Sequence, residues 1–283
     1  MLFLPAWLIL SLLTGITSNA FNFLNRFILK DKDDPTAYAW YFELLRFLFF
    51  GIYAIFDWHL VITPKSIILY IILGITEFIS VYWYMKMHSY SHLSVSAILS
   101  RTRMIWVPIL GFFLIHETLK SFDYLGIAII FFGVSIVSAP KKLFVDKGAF
   151  YANASAFMVA LNIVITVMLL PYGSNAVILA LCGIPSLILF PLLMKNSKQR
   201  IASVFKTNIV IKSVAIGLSI ASVLFFMFAL RIGEASKVNA VYQGMLILSV
   251  LAGIIFLKER ENLGKKIIGT TITVIGVVLL SLS

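Results

Sequence analysis

Long apolar runs alternate with short polar breaks along the whole chain. A bilayer core about 30 Å thick takes roughly 20 helical residues, and runs of about that length recur. They are Pro5–Leu29, Thr36–Trp58, Ser66–Met87, Leu93–His116, Phe122–Ala139, Ala149–Leu170, Asn175–Met194, Ile209–Leu230, Ser236–Leu257 and Lys266–Leu280. The breaks carry turn and charge signals: Lys30-Asp31-Lys32-Asp33-Asp34-Pro35, Thr63-Pro64-Lys65, Pro140-Lys141-Lys142, Pro171-Tyr172-Gly173-Ser174, and Lys195 to Asn208. The runs are continuous rather than alternating, which predicts helices and not barrel strands. Met1 to Leu13 is apolar and Ser18-Asn19-Ala20 is small, but no Lys or Arg precedes the run, and it continues to Leu29. It reads as a first spanning helix rather than a cleaved leader. The expected fold is an all-α integral membrane protein with about ten spanning helices.

Composition agrees. The apolar share is 61% and the charged share only 12%, too little charge to cover a soluble domain of 283 residues. The net charge of +11 sits mainly between the apolar runs, where it meets lipid headgroups. No basic stripe interleaved with aromatics is present, so nucleic acid is not an expected partner. The single cysteine, Cys182, lies in an apolar run and reads as a small packed hydrophobe. His88 and His92 have the i, i+4 spacing of metal ligands but straddle a helix break, so no metal site is expected. Asn153-Ala154-Ser155 fits a glycosylation sequon, but inside a predicted span. No Gly-rich nucleotide loop occurs, and neither a cofactor nor ATP drive is expected.

The runs repeat internally. Tyr84 to Ser94 parallels Phe226 to Ser236, and each segment precedes a long apolar helix ending in a glutamate, Glu117 or Glu259. Both Ser94 to Ser236 and Glu117 to Glu259 span 142 residues. After each glutamate come two glycines seven apart, Gly126 and Gly133, then Gly269 and Gly276, which share a helix face and permit close packing. The chain therefore divides into residues 1–140 and 148–283, with about five helices each. An odd number per half inverts the second half relative to the first. Inverted repeats mark secondary transporters, with the solute site near the midplane between the halves.

The duplicated pattern resembles the EamA-type transporters of the drug/metabolite transporter superfamily. It is carried by Phe226, Ala229, Leu230, Ser236, Glu259, Gly269 and Gly276-Val277, and less closely by Tyr84, Met87, His88, Ser94, Pro108, Glu117, Gly126 and Gly133-Val134. The resemblance covers nearly the whole chain. It implies ten helices, two fused repeats, and export or uptake of small organic solutes. His88 stands where the family has leucine, and Lys86 is an added charge.

Ionised groups within a bilayer need partners or a watery cavity. With a turn near Ser89, Glu77 and Arg101 each lie twelve residues from it, at matching depth on adjacent helices, so an ion pair is geometrically possible. With a turn near Lys32, Glu43 falls level with Asn22 and Arg46 with Asn19. The repeat offset carries Ser94, Ala97 and Arg101 onto Ser236, Asn239 and Gln243, one face of the ninth helix. Ser219 and Ser222, and Ser155, Asn162 and Thr166, add neutral polar groups. The candidate central cavity is thus Asn19, Asn22, Glu43, Arg46, Glu77, Arg101, Asn162, Ser219, Asn239, Tyr242 and Gln243. Arg103 faces away from Arg101 and reads as structural. Trp40, Tyr82, Trp83 and Tyr242 are candidate stacking surfaces or packing anchors.

Glu43, Arg46, Glu77, Arg101 and Arg103 sum to +1, which favours zwitterionic or anionic metabolites, such as amino acids, over lipophilic cations. The expected function is a secondary transporter in the plasma or inner membrane, with a coupling proton or ion at Glu77 and alternating access between the repeats. The competing readings are a membrane scaffold or assembly partner and an intramembrane lipid-modifying enzyme. Lys and Arg concentrate in loops that would be internal if both termini lie outside, whereas the family resemblance implies both termini inside.

Overall fold

The computed structural model describes residues 4–30, 34–90, 100–138, 147–245, 247 and 263–282. They form helices α1 Ala6–Lys30, α2 Pro35–Phe56 and α3 Pro64–Tyr90, a 3-10 turn Ser100–Thr102, then α4 Arg103–Ile115, α5 Ser121–Ser138, α6 Lys147–Leu169, α7 Asn175–Leu193, α8 Ser197–Val204, α9 Ile209–Ile232, α10 Ala235–Gly244 and α11 Leu263–Leu282. Six of them are long and apolar enough to cross a membrane: α1, α2, α3, α6, α7 and α9. Shorter apolar helices lie at Arg103–Ile115, Ser121–Ile136 and Ile267–Leu282. The sequence-based spans match these elements within a few residues wherever both are described. The exception is α8, which lies inside the break read from Lys195 to Asn208. Ser94, Ala97, His92 and Glu259 lie outside the described residues, as do the side chains of Lys86 and His88.

The helix ends have local causes. Asp34 caps α2, its Oδ1 accepting from the N–H groups of Thr36 (3.0 Å) and Ala37 (3.2 Å), and Pro35 supplies a first residue that needs no partner for its nitrogen. Thr63 and Ser66 exchange side-chain and backbone bonds at the start of α3. Ser174 caps α7 and also donates to Asp57 O at 2.6 Å. That contact, with Val61 N–H to Tyr172 O at 2.8 Å, ties the α2–α3 loop to the α6–α7 loop.

Packing joins the halves rather than chain neighbours. α1 packs on α9 and α10, while α3 and α4 pack on α6. α2 packs on α7, α4 on α10 and α5 on α11. The pairings of α1 with α9 and α10 have their counterparts, halves exchanged, in those of α6 with α3 and α4. The α5–α11 crossing runs through glycine. A Cβ on Gly276 would lie 2.9 Å from Gly126 O, and one on Gly133 would lie 2.8 Å from Gly269 O. The main core, with Tyr38, Phe50, Leu169, Ile178, Phe190 and Ile216 fully buried, lies between α2, α3, α6, α7 and α9. Large apolar side chains such as Ile55 (73% exposed), Phe113 (70%) and Val210 (72%) point outward. In water such a surface would aggregate, whereas in lipid it is solvated.

Candidate functional site

Glu43 and Arg46 are three residues apart on α2, so one helix face carries both. Arg46 Nη1 donates to Glu43 Oε1 at 2.9 Å and to Glu77 Oε1 on α3 at 3.1 Å. One guanidinium therefore serves two carboxylates. Asn162 Nδ2 of α6 donates to Glu77 Oε2 at 2.7 Å and reaches Ser80 Oγ at 3.4 Å. The Phe42 ring lies 5.2 Å from the Arg46 guanidinium carbon. Glu43 and Arg46 are both buried, and each has its partner within hydrogen-bond reach.

A second cluster has the opposite sign. Arg101, in the 3-10 turn before α4, donates through Nη1 to Gln243 Oε1 at 2.7 Å and to the Gln243 carbonyl at 3.0 Å. The Arg103 guanidinium carbon stands 4.8 Å above the Tyr242 ring, a cation–π contact. The Tyr242 hydroxyl shares a 3.0 Å hydrogen bond with Ser18 Oγ. Asn19 Nδ2 donates to Met245 O at 2.7 Å, and Asn22 Oδ1 accepts from the Tyr84 hydroxyl at 3.3 Å. Among the described residues, no carboxylate pairs with Arg101 or Arg103. Their Nε atoms, Gln243 Nε2 and both side-chain polar atoms of Asn239 are buried without a hydrogen-bond partner. Native interiors satisfy nearly all such groups, so this concentration of orphans suits a polar ligand.

These contacts correct the expected pairing. Glu77 meets Arg46 and Asn162, not Arg101. Asn19 and Asn22 bond Met245 O and the Tyr84 hydroxyl rather than Arg46 or Glu43. The depth argument assumed that helices adjacent in sequence lie side by side. Instead α3 packs on α6 and α7, and α1 packs on α9 and α10. Arg103, read as structural, stands on the ring of a candidate site residue. Ser219 is buried on α9 one turn before Ser222, whose Oγ donates to Thr14 O of α1, and it joins neither cluster.

At the membrane face holding the α4–α5 loop, polar contacts close the helix ends. Glu117 accepts from Ser236 N–H at 3.1 Å and from Ser236 Oγ at 2.5 Å, so a first-half side chain caps a second-half helix. Burial pushes its carboxyl up, against the lowering effect of those bonds. Lys237 lies 3.1 Å from Asp123 Oδ1 and 3.6 Å from Glu234 Oε2. Lys237 is buried in the first turn of α10. At the other face, Arg200 of α8 grips Asp34 through both carboxylate oxygens. Burial alone would raise Asp34, but Arg200 and the N–H groups of Ala37 and Thr36 outweigh it and hold the carboxyl below its usual range.

The EamA-like transporter family model matches this chain twice, over residues 5–139 and residues 146–282. The chain belongs to the EamA-like transporter family. A solved crystal structure aligns with this EamA-like chain at a TM-score of 0.72, covering 96% of this chain and 98% of that one at 13% identity, which shows the fold alone. No curated protein matches the sequence. The helices and the family's transport role are common ground for EamA-like proteins. The charge arrangement belongs to these residues. Sequence reasoning missed Ser80, Asp123, Arg200 and the place of Arg103. For Asp123 a signal existed: an acidic residue in the first turn of an otherwise apolar helix.

Proposed function

We propose that the protein is a secondary transporter of small zwitterionic or anionic organic solutes of the amino-acid kind, in the plasma or inner membrane. In this reading ten spanning helices form two inverted five-helix repeats, 1–140 and 148–283. Alternating access arises as the repeats rock around a polar site between them. The observation that carries the reading is the Arg101–Arg103 pair, two guanidinium groups among buried orphan donors and without a carboxylate partner among the described residues. A solute carboxylate supplies the missing countercharge. A solute ammonium finds its acceptor at Glu77, the more exposed carboxylate of the other cluster. A site for lipophilic cations would instead leave a carboxylate unpaired among aromatics, whereas both Glu43 and Glu77 already hold Arg46.

The test is competition binding on purified protein, with amino acids and quaternary amines as the probes, on wild type and Arg101→Gln. Amino acids should bind wild type and lose affinity in the variant. Wild type that binds only quaternary amines, more tightly once Arg101 is gone, would refute the assignment.

A further inference from the structure

Two carboxylates and one guanidinium meet at Arg46, and the count is odd. With Glu43 and Glu77 both ionised the cluster carries −1. Glu43 is 1% exposed, so water cannot spread that excess. Two carboxylates sharing one cation take up a proton more readily than either alone, and the proton belongs to the pair. We infer that Glu43 and Glu77 together bind one exchangeable proton around Arg46, and that this proton couples transport to the proton gradient. This rests on the transporter reading but enlarges the coupling site from Glu77 alone to the pair.

The surroundings favour a proton over a metal cation. Arg46 Nη1 already occupies the space between the two Oε1 atoms, at 2.9 and 3.1 Å, so a metal ion there would face the guanidinium. A proton needs no cavity. Among the described residues, the other groups in contact with the pair add no second cation. Gly183 of α7 brings backbone against Glu43, with Glu43 Oε2 3.4 Å from where its Cβ would be. Cys182 beside it is a buried thiol. From α6 comes the neutral Asn162. Cations of α8 and α9 are held elsewhere: Arg200 is on Asp34, Lys212 is on Val204 O and Thr207 Oγ1, and Arg231 is on Asn175 Oδ1 and the Gly173 carbonyl. Asp34 is nine residues from Glu43, about 13 Å along the helix. When the proton binds, one carboxylate becomes a neutral acid and Arg46 pairs with the other, so the cluster's charge goes from −1 to 0. A solute ammonium at Glu77 does the same without the proton. Proton and ammonium therefore exclude each other, which is the condition for exchange.

The test begins without any solute. Infrared difference spectra of the reconstituted full-length protein between acidic and alkaline buffer should contain the carbonyl stretch of one protonated carboxylic acid. Glu43→Gln and Glu77→Gln should each abolish that band or move its titration to lower pH, because the remaining carboxylate then has Arg46 to itself. A band that titrates unchanged in both variants, or no band in wild type, overturns the proposal. In proteoliposomes with labelled amino acids as probe, an imposed pH gradient should drive accumulation in wild type and in neither variant. Accumulation in Glu43→Gln at the wild-type level overturns the coupling role. Absence of amino acid movement in wild type alongside a normal infrared result counts against the solute class instead.

Discussion

Arg101 and Gln243 stand 142 residues apart, at the same place in the two halves, and the first donates two hydrogen bonds to the second. Equivalent positions touch only where they approach the axis relating the halves. The Arg101–Gln243 contact therefore lies near that axis, yet its two ends differ in charge. Gln243→Glu should turn this cation–amide contact into an ion pair that consumes Arg101. The variant should melt no lower than wild type, while amino acid affinity falls about 30-fold, the effect of losing one charge-assisted hydrogen bond of about 2 kcal/mol. Thermal shift with and without amino acid reads both. Undiminished affinity would remove Arg101 from the solute contact.

The α5–α11 crossing should tolerate no side chain. Gly276→Val would place a Cβ 2.9 Å from both Gly126 O and Ile130 N, main-chain atoms that cannot swing aside. The expected loss is about 1–3 kcal/mol, typical of overpacking. Gly217, with nothing within 4 Å of its Cβ position, is the control: Gly217→Ala should be neutral to slightly stabilising. A denaturation series on the two variants settles it, and equal stability would mean the crossing can open.

The Asp34–Arg200 contact predicts a pH dependence. The folded-state value of Asp34 lies below its ordinary 3.8. Its contribution is thus fully present above the unfolded-state value and is lost as pH falls through the folded-state one. Arg200 is partly exposed, so the contribution is about 0.5 kcal/mol after screening. Asp34→Asn keeps the helix cap and removes the charge. Melting temperatures should differ slightly at pH 6 and converge in strong acid. A gap that persists there would trace the effect to something other than charge.

The loop charges predict that both termini face outward. A reporter active only in the cytoplasm, fused after Ser283, should be silent. An active reporter would overturn the charge argument in favour of the orientation that the family resemblance implies.

Much of this architecture was readable beforehand, for specific reasons. Apolar run length located the spans, because lipid admits few alternatives to a helix of that length. The seven-residue glycine spacing foretold the tight crossing of Gly126 and Gly133. The Glu43–Arg46 pair followed from helical spacing alone. Which helices adjoin was not readable. Depth counted from a hairpin turn gives height in the membrane but not azimuth, so Glu77 was assigned to Arg101 when Arg46 and Asn162 lie closer. The contact of Arg103 with Tyr242 was hidden for a related reason: its angle to Arg101 follows from spacing only along one continuous helix, whereas a 3-10 turn at Ser100–Thr102 intervenes. The helix at Ser197–Val204 escaped notice because it is short and polar, without an apolar period to betray it.

The glycine crossing also bears on how such a protein can change over time. Gly126 faces Gly276 and Gly133 faces Gly269, so each helix gives the other a strip without side chains, into which Ile130, Thr273 and Leu280 also pack. The seam asks for glycine at these few positions and for the three side chains that fit beside them. The halves are thus free to diverge in every residue that greets the solute, cationic in one and neutral in the other, and still recognise each other by the shape of their backbones.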